Sequence, residues 1–409
     1  MLFARLFDRL IKFGSLSVID AFGKTHAFAG AEGPRVTIRL HERALHSKLF
    51  FNPRLYLGEA YMDGTLTVEE GTLSDLLELC IMNLAVFKPH PAHVVYEKFC
   101  YRLRRVWQYN PIGRARANVA HHYELSDALY DLFLDADRQY SCAYFTNANE
   151  TLEAAQDNKK RHIAAKLLLN EPGLEVLDVG SGWGGLALYL ARVAKAEVTG
   201  ITLSAGQVKA ANERAAAAGL GDRVRFFMRD YREEEGRYDR IVSVGMFEHV
   251  GVPHYPTFFG KIHELLKPGG VVLLHSIGRM EGPGVTNPWL RKYIFPGGYV
   301  PALSEVLAVI EKCGLWVTDI EILRLHYADT LREWHRRFQA NRDKIKKLYD
   351  ERFCRMWEFY LVGSEMGFRH GDQMVFQIQL AKSQDSVPLT RDYITDWKRV
   401  NADRVTEAA

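Results

Sequence analysis

A glycine-rich segment near the middle of the chain carries the clearest chemical signal. Asp178 precedes it, and Gly180, Gly182 and Gly185 match the spacing GxGxxG. Glycines allow the backbone to approach a nucleotide-like cofactor closely, which a Cβ atom would prevent. The spacing alone is weak evidence, because a glycine-rich turn that binds no cofactor can have the same pattern.

Two carboxylates and a threonine near this segment distinguish between two candidate cofactors, NAD and S-adenosylmethionine. A NAD site needs an acidic residue at the end of the second strand to bind the ribose, and the chain has Thr202 there. Asp178 can instead attract the ammonium group of an amino-acid moiety through a charge-assisted contact. Asp230, at the end of the third strand, can accept a hydrogen bond from the amino group of adenine. These residues favour S-adenosylmethionine over NAD.

The elements that must position these residues alternate along the second part of the chain. From about residue 119, helices alternate with apolar strands, and these strands are predicted at 175–180, 197–202, 224–230, 238–245 and 271–277. Repeated βαβ units predict an α/β fold with a doubly wound parallel sheet. Ligands of such sheets bind outside the carboxyl ends of the strands, where the strand order reverses. The segment that begins at Asp178 leaves the first of these strands.

A smaller α+β domain is predicted before this region. Short strands are expected within 16–38, and an amphipathic helix over 73–85. The predicted boundaries are 1–100 for this domain, 101–118 for a basic linker, 119–385 for the α/β domain and 386–409 for a C-terminal tail. Residues 1–13 have a basic, amphipathic helical pattern. Such a helix packs on its own domain, the favoured interpretation, or lies on an anionic membrane surface.

The composition excludes several classes of protein. The chain has 409 residues, of which 47% are hydrophobic and 25% charged, as in folded globular proteins. It lacks the run of about eighteen apolar residues that a transmembrane helix needs. Its five cysteines are scattered and form no CxxC pair, so we expect neither a disulfide framework nor a metal site, and a reducing cytosol fits best. A net charge of +3 gives no argument for nucleic acid as a partner.

Five segments become distinctive when they are taken together. They are QYSCAYF at 139–145, VLDVGSGWGG at 176–185, GITLSAGQ at 200–207, RYDRIVSVGMFEHVG at 237–251 and KYIFPGGYVP at 292–301. This set resembles the cyclopropane-fatty-acyl-phospholipid synthases, a family of S-adenosylmethionine-dependent methyltransferases that includes the mycolic acid cyclopropane synthases. GEAYMDG at 58–64 is similar to part of the family's smaller lipid-engaging domain. The resemblance implies a Rossmann-like class I methyltransferase domain behind a small N-terminal domain.

The resemblance also implies roles for individual residues. Those implied to contact S-adenosylmethionine are Tyr140 and Ser141 over the cofactor, Asp178, Gly180 and Gly182 at its amino-acid part, Thr202, Leu203 and Gln207 at the ribose, and Asp230 and Tyr231 at the adenine. The family holds a bicarbonate ion that serves as the base. Its implied ligands are the Cys142 backbone, Glu248, His275, the Ile277 backbone and Tyr327.

The implied reaction moves the methyl carbon of S-adenosylmethionine to the cis double bond of unsaturated acyl chains of membrane phospholipids and closes a cyclopropane ring. One alternative is a methyl- or methylene-branching fatty-acyl methyltransferase of the same family. An alternative from another class is a lipid-binding protein that has lost catalysis. The expected location is cytoplasmic, at the inner face of the cell membrane, and a homodimer is a candidate assembly.

One position departs from the family pattern. The family often has a cysteine in a late helix where this chain has Ser364. A nucleophilic cysteine role is therefore impossible at that position. A bicarbonate base needs no nucleophile from the protein, so the implied mechanism is unaffected.

Overall fold

Helices and strands fill most of the chain in the computed structural model, which describes residues 10–86, 108, 110–111, 113 and 125–401. The described residues form two compact units. Residues 10–86 group with Val285–Pro296 and Ala328–Gln373, and the other described residues form the second unit. The amphipathic helix predicted at 1–13 and the basic linker at 101–118 lie largely outside the described residues.

The first unit contains a four-stranded sheet in the order β2-β1-β3-β4. Its strands are β1 Phe13–Ile19, β2 Thr25–Ala29, β3 Ala31–Leu40 and β4 Leu66–Glu70. β1 is antiparallel to β2 and parallel to β3, which pairs with β4 in the antiparallel sense. Alternate side chains of β1, such as Leu16 and Val18, are buried, because one face of the sheet covers the core of this unit.

Helices cover the buried face of that sheet. In chain order they are α1 Ala44–Phe51, α2 Pro53–Met62 and α3 Leu73–Val86. The later segments of this unit add four helices, which are α9 Pro288–Tyr293, α11 His326–Ala340, α12 Arg342–Leu348 and α13 Glu351–Arg369. The first two residues of α11 belong to the second unit. Leu76 and Leu79 of α3 pack in one cluster with the sheet and with Val362 of α13.

The second unit is built on a seven-stranded sheet in the order β10-β11-β9-β8-β5-β6-β7. The strands are β5 Glu175–Val179, β6 Glu197–Thr202, β7 Val224–Met228, β8 Tyr238–Val244, β9 Leu266–Arg279, β10 Trp316–Ile322 and β11 Gln373–Ala381. The strands from β7 to β9 in the sheet are parallel. Val176 and Leu177 belong to separate core clusters, so both faces of β5 are buried. This confirms the predicted α/β class.

Helices of the second unit connect and cover these strands. They are α4 Asp127–Tyr130, α5 Leu152–Lys166, α6 Gly185–Ala194, α7 Ala205–Ala217, α8 Tyr255–Leu265, α10 Leu303–Ile310 and α14 Asp392–Val400. α5 begins where the Thr151 hydroxyl accepts a hydrogen bond from the Ala154 amide at 3.3 Å, and Ser204 caps α7 in the same way. Both caps satisfy backbone donors that the first turn leaves free.

The structure differs from the sequence-based expectations in three places. The sheet is not wholly parallel, because β10 and β11 form an antiparallel pair at one edge. Residues 386–409, expected to be a tail, include α14, whose Ile394 and Trp397 are buried in a core cluster. Residues 285–296 and 328–373 group with the first unit, although the sequence analysis included them in a domain at 119–385.

The reversal of strand order falls beside β5. From β5 the chain proceeds to β6 and β7 on one side, and then returns to β8 and β9 on the other. The carboxyl ends of β5 and β8 therefore flank the position where α/β sheets bind ligands. No helix within the described ranges is long and apolar enough to cross a membrane.

Candidate functional site

The loop that leaves β5 has the backbone that its glycines allow. Gly180, Gly182 and Gly184 have φ values of 86°, 54° and 83°, which side chains with a Cβ rarely adopt. A Cβ on Gly180 would lie 2.7 Å from the Met246 side chain, whereas a Cβ on Gly182 would meet nothing within 4 Å. Gly182 therefore faces open space, and the loop forms the wall of a cavity.

This cavity, which we name the cofactor cavity, lies at the carboxyl ends of β5, β6 and β8. It encloses about 1290 Å³ of empty space, its open mouth included. The structure brings together on its lining all ten predicted cofactor residues: Tyr140, Ser141, Asp178, Gly180, Gly182, Thr202, Leu203, Gln207, Asp230 and Tyr231. A cleft at this edge of an α/β sheet is the place where such folds bind nucleotide-like ligands.

Asp178 places an unpaired carboxylate oxygen in the floor of the cavity. Its side chain is buried, and Oδ2 has no hydrogen-bond partner in the part of the chain that the structure describes. Burial raises the pKa of Asp178 to about 7, against the attraction of the Lys159 ammonium. Ser181 Oγ is also buried without a partner among the described residues. Buried polar atoms of this kind call for a ligand that supplies their hydrogen bonds.

The end of β6 carries no carboxylate. Thr202 Oγ1 donates to Gln207 Oε1 at 2.8 Å, and the Ser204 amide donates to Thr202 Oγ1 at 3.3 Å. Thr202 and Gln207 are thus held together at the end of β6, next to Leu203. A NAD site would require an acidic side chain at this position, so the local structure agrees with the choice made from the sequence.

Asp230 has a partner that the sequence analysis did not foresee. Its two carboxylate oxygens accept from Arg232, Oδ1 from Nε and Oδ2 from Nη2, each at 2.7 Å. Arg232 also lines the cavity, and its Nη1 donates to the Asn110 carbonyl at 3.1 Å. The expected acceptor for adenine is therefore one half of an ion pair. Tyr231 beside it is buried, which raises the pKa of its phenol above the ordinary range.

A second group of residues lies at the end of β8 and in β9. Glu248 follows β8, and His275 and Ile277 lie in β9; we name these three residues the Glu248 site. Glu248 Oε1 accepts from the Ile277 amide at 2.7 Å, and Oε2 is buried without a partner among the described residues. Burial raises the pKa of Glu248 to about 7, although the Ile277 amide and the Ser276 hydroxyl lower it. The side chain is therefore close to the balance between its neutral and charged forms at neutral pH.

His275 lies in β9, opposite the end of β8. Its carbonyl accepts from the Gly245 amide at 2.9 Å, and its Nδ1 contacts Gln377 Nε2 of β11 at 3.2 Å. Burial lowers the pKa of His275 to about 3, helped by the positive charge of Lys159. The imidazole is thus neutral, and an accepting Nδ1 places its proton on Nε2.

The remaining implied anion ligands, Cys142 and Tyr327, are buried in the same unit as these residues. Cys142 is buried, and its thiol donates to the Ala143 carbonyl at 3.3 Å. Its neighbour Ser141 lies 4.0 Å from the Cβ position of Gly245. Tyr327 is buried in the first turn of α11. One expectation needs correction, because the Ile277 amide is not free for an anion when it donates to Glu248.

Comparison with protein-family models supports the sequence-based interpretation. The model for mycolic acid cyclopropane synthetase matches residues 112–378, and a model for a domain of unknown function, DUF7884, matches residues 11–90. The chain belongs to the mycolic acid cyclopropane synthetase family. The resemblance identified from the sequence motifs is thereby confirmed.

Individual relatives agree with this assignment. A Pseudomonas putida protein described as a probable fatty acid methyltransferase is 37% identical over 372 residues, covering 88% of this chain and 91% of that protein. The cyclopropane-fatty-acyl-phospholipid synthase of Escherichia coli K12 is 36% identical over 351 residues, covering 85% and 88%. The crystal structure of mycolic acid cyclopropane synthase CmaA1 complexed with SAH and CTAB has a TM-score of 0.62 and 34% identity, covering 67% of this chain and 99% of that one.

The chain is therefore an S-adenosylmethionine-dependent methyltransferase, from a family that methylates or cyclopropanates lipid acyl chains. The cofactor cavity fits S-adenosylmethionine on its own observations. Asp178 Oδ2 is an unpaired acceptor for an ammonium group, and Gly182 leaves space where a side chain would intrude. A catalytically inactive lipid-binding protein is not supported, since these relatives are enzymes by name.

Sequence reasoning missed Lys159 of α5. Lys159 lines the cofactor cavity and is fully buried, and burial lowers the pKa of its ammonium to about 8. One signal could have found it. Lys159 falls on the apolar stripe of α5, between Ala155 and Ile163, where a lysine needs a buried partner.

Proposed function

We propose that this methyltransferase transfers the methyl carbon of S-adenosylmethionine to the cis double bond of unsaturated phospholipid acyl chains and closes a cyclopropane ring, with bicarbonate as the base. The observation that carries the proposal is the Glu248 site beside the cofactor cavity. It offers one buried, unpaired oxygen, Glu248 Oε2, and a neutral imidazole, His275. Water-excluded groups of this kind suit a reaction that passes through a carbocation.

The electron balance defines what the protein must do. The alkene π electrons form a bond to the methyl carbon while the carbon–sulfur bond breaks, so the sulfur leaves as a neutral thioether and the acyl chain becomes a cation. Loss of one proton from the new methyl group lets its carbon close the ring. An isolated alkene is a weak nucleophile, so the chain must hold the reacting atoms in line and in contact, at about 3–3.5 Å.

Bicarbonate fits the donor and acceptor groups of the Glu248 site. It carries one O–H group, which can donate to Glu248 Oε2, and one of its other oxygens can accept from His275 Nε2. Tyr327 enters the proposal through the family resemblance alone, as a further donor to the ion. Bicarbonate would accept the proton that leaves the methyl group. Glu248 would orient the ion, and the Ile277 amide would act by holding Glu248 in place. The Cys142 backbone is the remaining proposed ligand.

A bicarbonate base makes activity depend on dissolved carbonate. Enzyme assayed in carbonate-depleted buffer should lose turnover and regain it when bicarbonate is added, with chloride at the same ionic strength as the control. Indifference to depletion would contradict bicarbonate as the base.

The branching reaction is a second candidate, and the comparisons favour it equally. The Pseudomonas putida relative described as a probable fatty acid methyltransferase is as similar to this chain as the Escherichia coli cyclopropane synthase. Cyclopropanation and methyl branching share the methyl transfer and differ in the proton that is lost, which comes from the new methyl group in the first and from a neighbouring chain carbon in the second. Methylene branching also removes a methyl proton, after a hydride shift along the chain, so the ring itself must be observed to separate it from cyclopropanation.

A labelled cofactor tests the choice. Enzyme, unsaturated phospholipid vesicles and S-adenosylmethionine with a fully deuterated methyl group should give a product that retains two of the three deuterium atoms. Upfield ring protons should appear in the NMR spectrum of product made with unlabelled cofactor. Retention of three deuterium atoms would establish a methyl branch, and two without ring protons would establish a methylene branch.

A membrane-surface location is part of the proposal, and the first unit supports it. Phe22 and Phe51 are exposed by 65% and 76%, and the Arg43 guanidinium lies 4.5 Å from the Phe22 ring. Lys48 is exposed on the same helix as Phe51. Aromatic rings beside basic groups suit the interface of an anionic bilayer.

Vesicle sedimentation tests this location. Binding to vesicles that contain anionic phospholipid should weaken in the Phe22→Ser/Phe51→Ser variant, while Leu389→Ser, which changes another exposed apolar residue, should bind as the parent does. Equal binding of all three proteins would remove this surface from the proposal. Light scattering on the same proteins without vesicles measures their molar mass and so tests the candidate homodimer.

A further inference from the structure

One face of α5 holds the segment that carries Ser141. Gln156 Nε2 donates to the carbonyls of Gln139 and Ser141, at 3.2 and 3.0 Å. Lys159, one turn later, donates to the side chains of the same two residues. Lys160 then binds the Asp137 carboxylate at 2.7 Å. The segment is thus fixed to the helix through both its backbone and its side chains.

The Lys159 ammonium determines the direction of the hydrogen bonds at Ser141. It lies 2.6 Å from Gln139 Oε1 and 2.8 Å from Ser141 Oγ. An ammonium group can only donate, so Ser141 Oγ must accept from it. The Ser141 hydroxyl proton has no acceptor among the described residues, and Ser141 lines the cofactor cavity. Ser141 therefore offers a donor to whatever occupies the cavity.

Asp178, in the same cavity, offers a hydrogen-bond acceptor where Ser141 offers a donor. Asp178 offers an unpaired acceptor, and the charge of Lys159 acts on this carboxylate. An amino-acid group has an ammonium that needs an acceptor and a carboxylate that needs donors. If Asp178 pairs with the ammonium, the buried carboxylate still needs a positive partner of its own. Arg138, Arg229 and Arg232 also line the cavity, but each is already bound to a carboxylate of the protein. Lys159, in contrast, contacts Ser141 directly.

We propose that Lys159 is a positioning residue for the methionine carboxylate of the cofactor: it fixes Ser141 as a hydrogen-bond donor to that carboxylate and supplies the positive charge that balances it. The inference rests on the proposed binding of S-adenosylmethionine in this cavity. It extends that binding by assigning the recognition of the carboxylate to a side chain in α5, outside the glycine loop.

The same helix provides a matched control. Lys166 is also fully buried in α5, and its ammonium pairs with Asp319 and Glu321 of β10 instead of lining the cavity. Lys159→Met and Lys166→Met therefore remove the same group from the same helix at the same burial. A general loss of packing would affect both variants alike.

Calorimetric titration with two ligands tests the inference. S-adenosylmethionine and decarboxylated S-adenosylmethionine differ in the carboxylate alone, so the ratio of their affinities measures its recognition. Lys159→Met and Ser141→Ala should each reduce this ratio by about 10–100-fold, the usual value of a hydrogen bond to a charged group. Lys166→Met should leave the ratio unchanged.

Each outcome has a distinct meaning. If Lys159→Met weakens both ligands equally, Lys159 is merely structural and the inference is overturned. If Lys159→Met does not fold, Ser141→Ala decides, because an unchanged ratio there shows that its hydroxyl does not bind the carboxylate. If the unaltered enzyme binds neither ligand, the proposed cofactor site itself fails.

Discussion

The cofactor cavity and the Glu248 site lie at adjacent strand ends of one sheet and treat their polar groups differently. In the cavity, Asp178 Oδ2 and Ser181 Oγ are buried without partners among the described residues. In the Glu248 site, Glu248 binds the Ile277 amide, and His275 binds Gln377. Both regions leave an acceptor for a ligand, since Glu248 Oε2 is also unpaired among the described residues. The cavity depends on its ligand for the partners of two side chains, whereas the protein itself orients Glu248 through Oε1 and His275 through Nδ1.

This difference predicts how each region fails. A change in the cavity should affect binding, because the ligand provides the missing partners. A change in the Glu248 site should affect turnover, because the cofactor still binds in its cavity when the group that would orient the base is altered. The folding stability of the protein should also depend on pH, because the buried carboxyl groups of Asp178 and Glu248 lack a full set of partners and are costly to ionise.

The largest expected effect is on turnover in Glu248→Gln. The amide keeps the size of the side chain and loses the carboxylate that would accept a hydrogen bond from bicarbonate, so the base is no longer positioned and kcat should fall by about 10²–10⁴-fold, the range of a positioned acid–base element. The affinity for S-adenosylmethionine, measured by calorimetry, should change little. Glu264→Gln, at an exposed glutamate of α8, is the control. A parallel loss of affinity and turnover would contradict the separation of the two regions.

Gly182→Val should act in the opposite way. Its side chain would enter the cavity, so the affinity for S-adenosylmethionine should fall by about 100-fold, the cost of a poorly accommodated group in a packed site. Gly173→Val is a close control, because Gly173 also has a positive φ, 80°, and open space around its Cβ position, and lies before β5 outside the cavity lining. Equal affinities in the two folded variants would remove Gly182 from the cofactor site.

The two regions also differ in how well the sequence predicted them. β5 to β9 were predicted because parallel strands buried on both faces read as apolar runs. β11 was missed because buried Gln377 and Gln379 interrupt its apolar pattern, and both are paired in the fold. The cavity residues follow from strand ends and glycine spacing. The bond from the Ile277 amide to Glu248 could not be predicted, because residue types do not specify the partner of a backbone amide.

A smaller effect is expected from the ionisation of Asp178. Its pKa of about 7 means that lowering the pH from 8 to 6 protonates the carboxylate and removes the attraction for the cofactor's ammonium. Loss of the Asp178 charge should lower the affinity for S-adenosylmethionine roughly tenfold over this interval, and protonation of Lys159, whose pKa is about 8, should return up to about twofold, so the net fall should be about five- to tenfold. In Asp178→Asn the affinity should be low at both pH values. 5′-Methylthioadenosine, which lacks the ammonium, should show no such dependence in the unaltered enzyme, and a dependence there would assign the titration to another group.

The smallest expected effect is on folding stability, and it should differ between the Glu248 site and the cofactor cavity. The folded state holds the Glu248 proton with a pKa of about 7, above the ordinary 4.5, so the free energy of unfolding falls as the pH rises from about 4.5 to 7. Glu248→Gln cannot ionise and escapes this loss, which is at most about 3–4 kcal/mol. The variant should therefore melt a few degrees above the unaltered enzyme at pH 8, and the difference should vanish at pH 4.5.

In Asp178→Asn a similar gain in melting temperature should appear without ligand. It should disappear when S-adenosylhomocysteine saturates the unaltered enzyme, because the ligand's ammonium compensates the Asp178 carboxylate and not that of Glu248. A Glu248→Gln variant that melts below the unaltered enzyme at pH 8 would show that the Glu248 site already balances its charge.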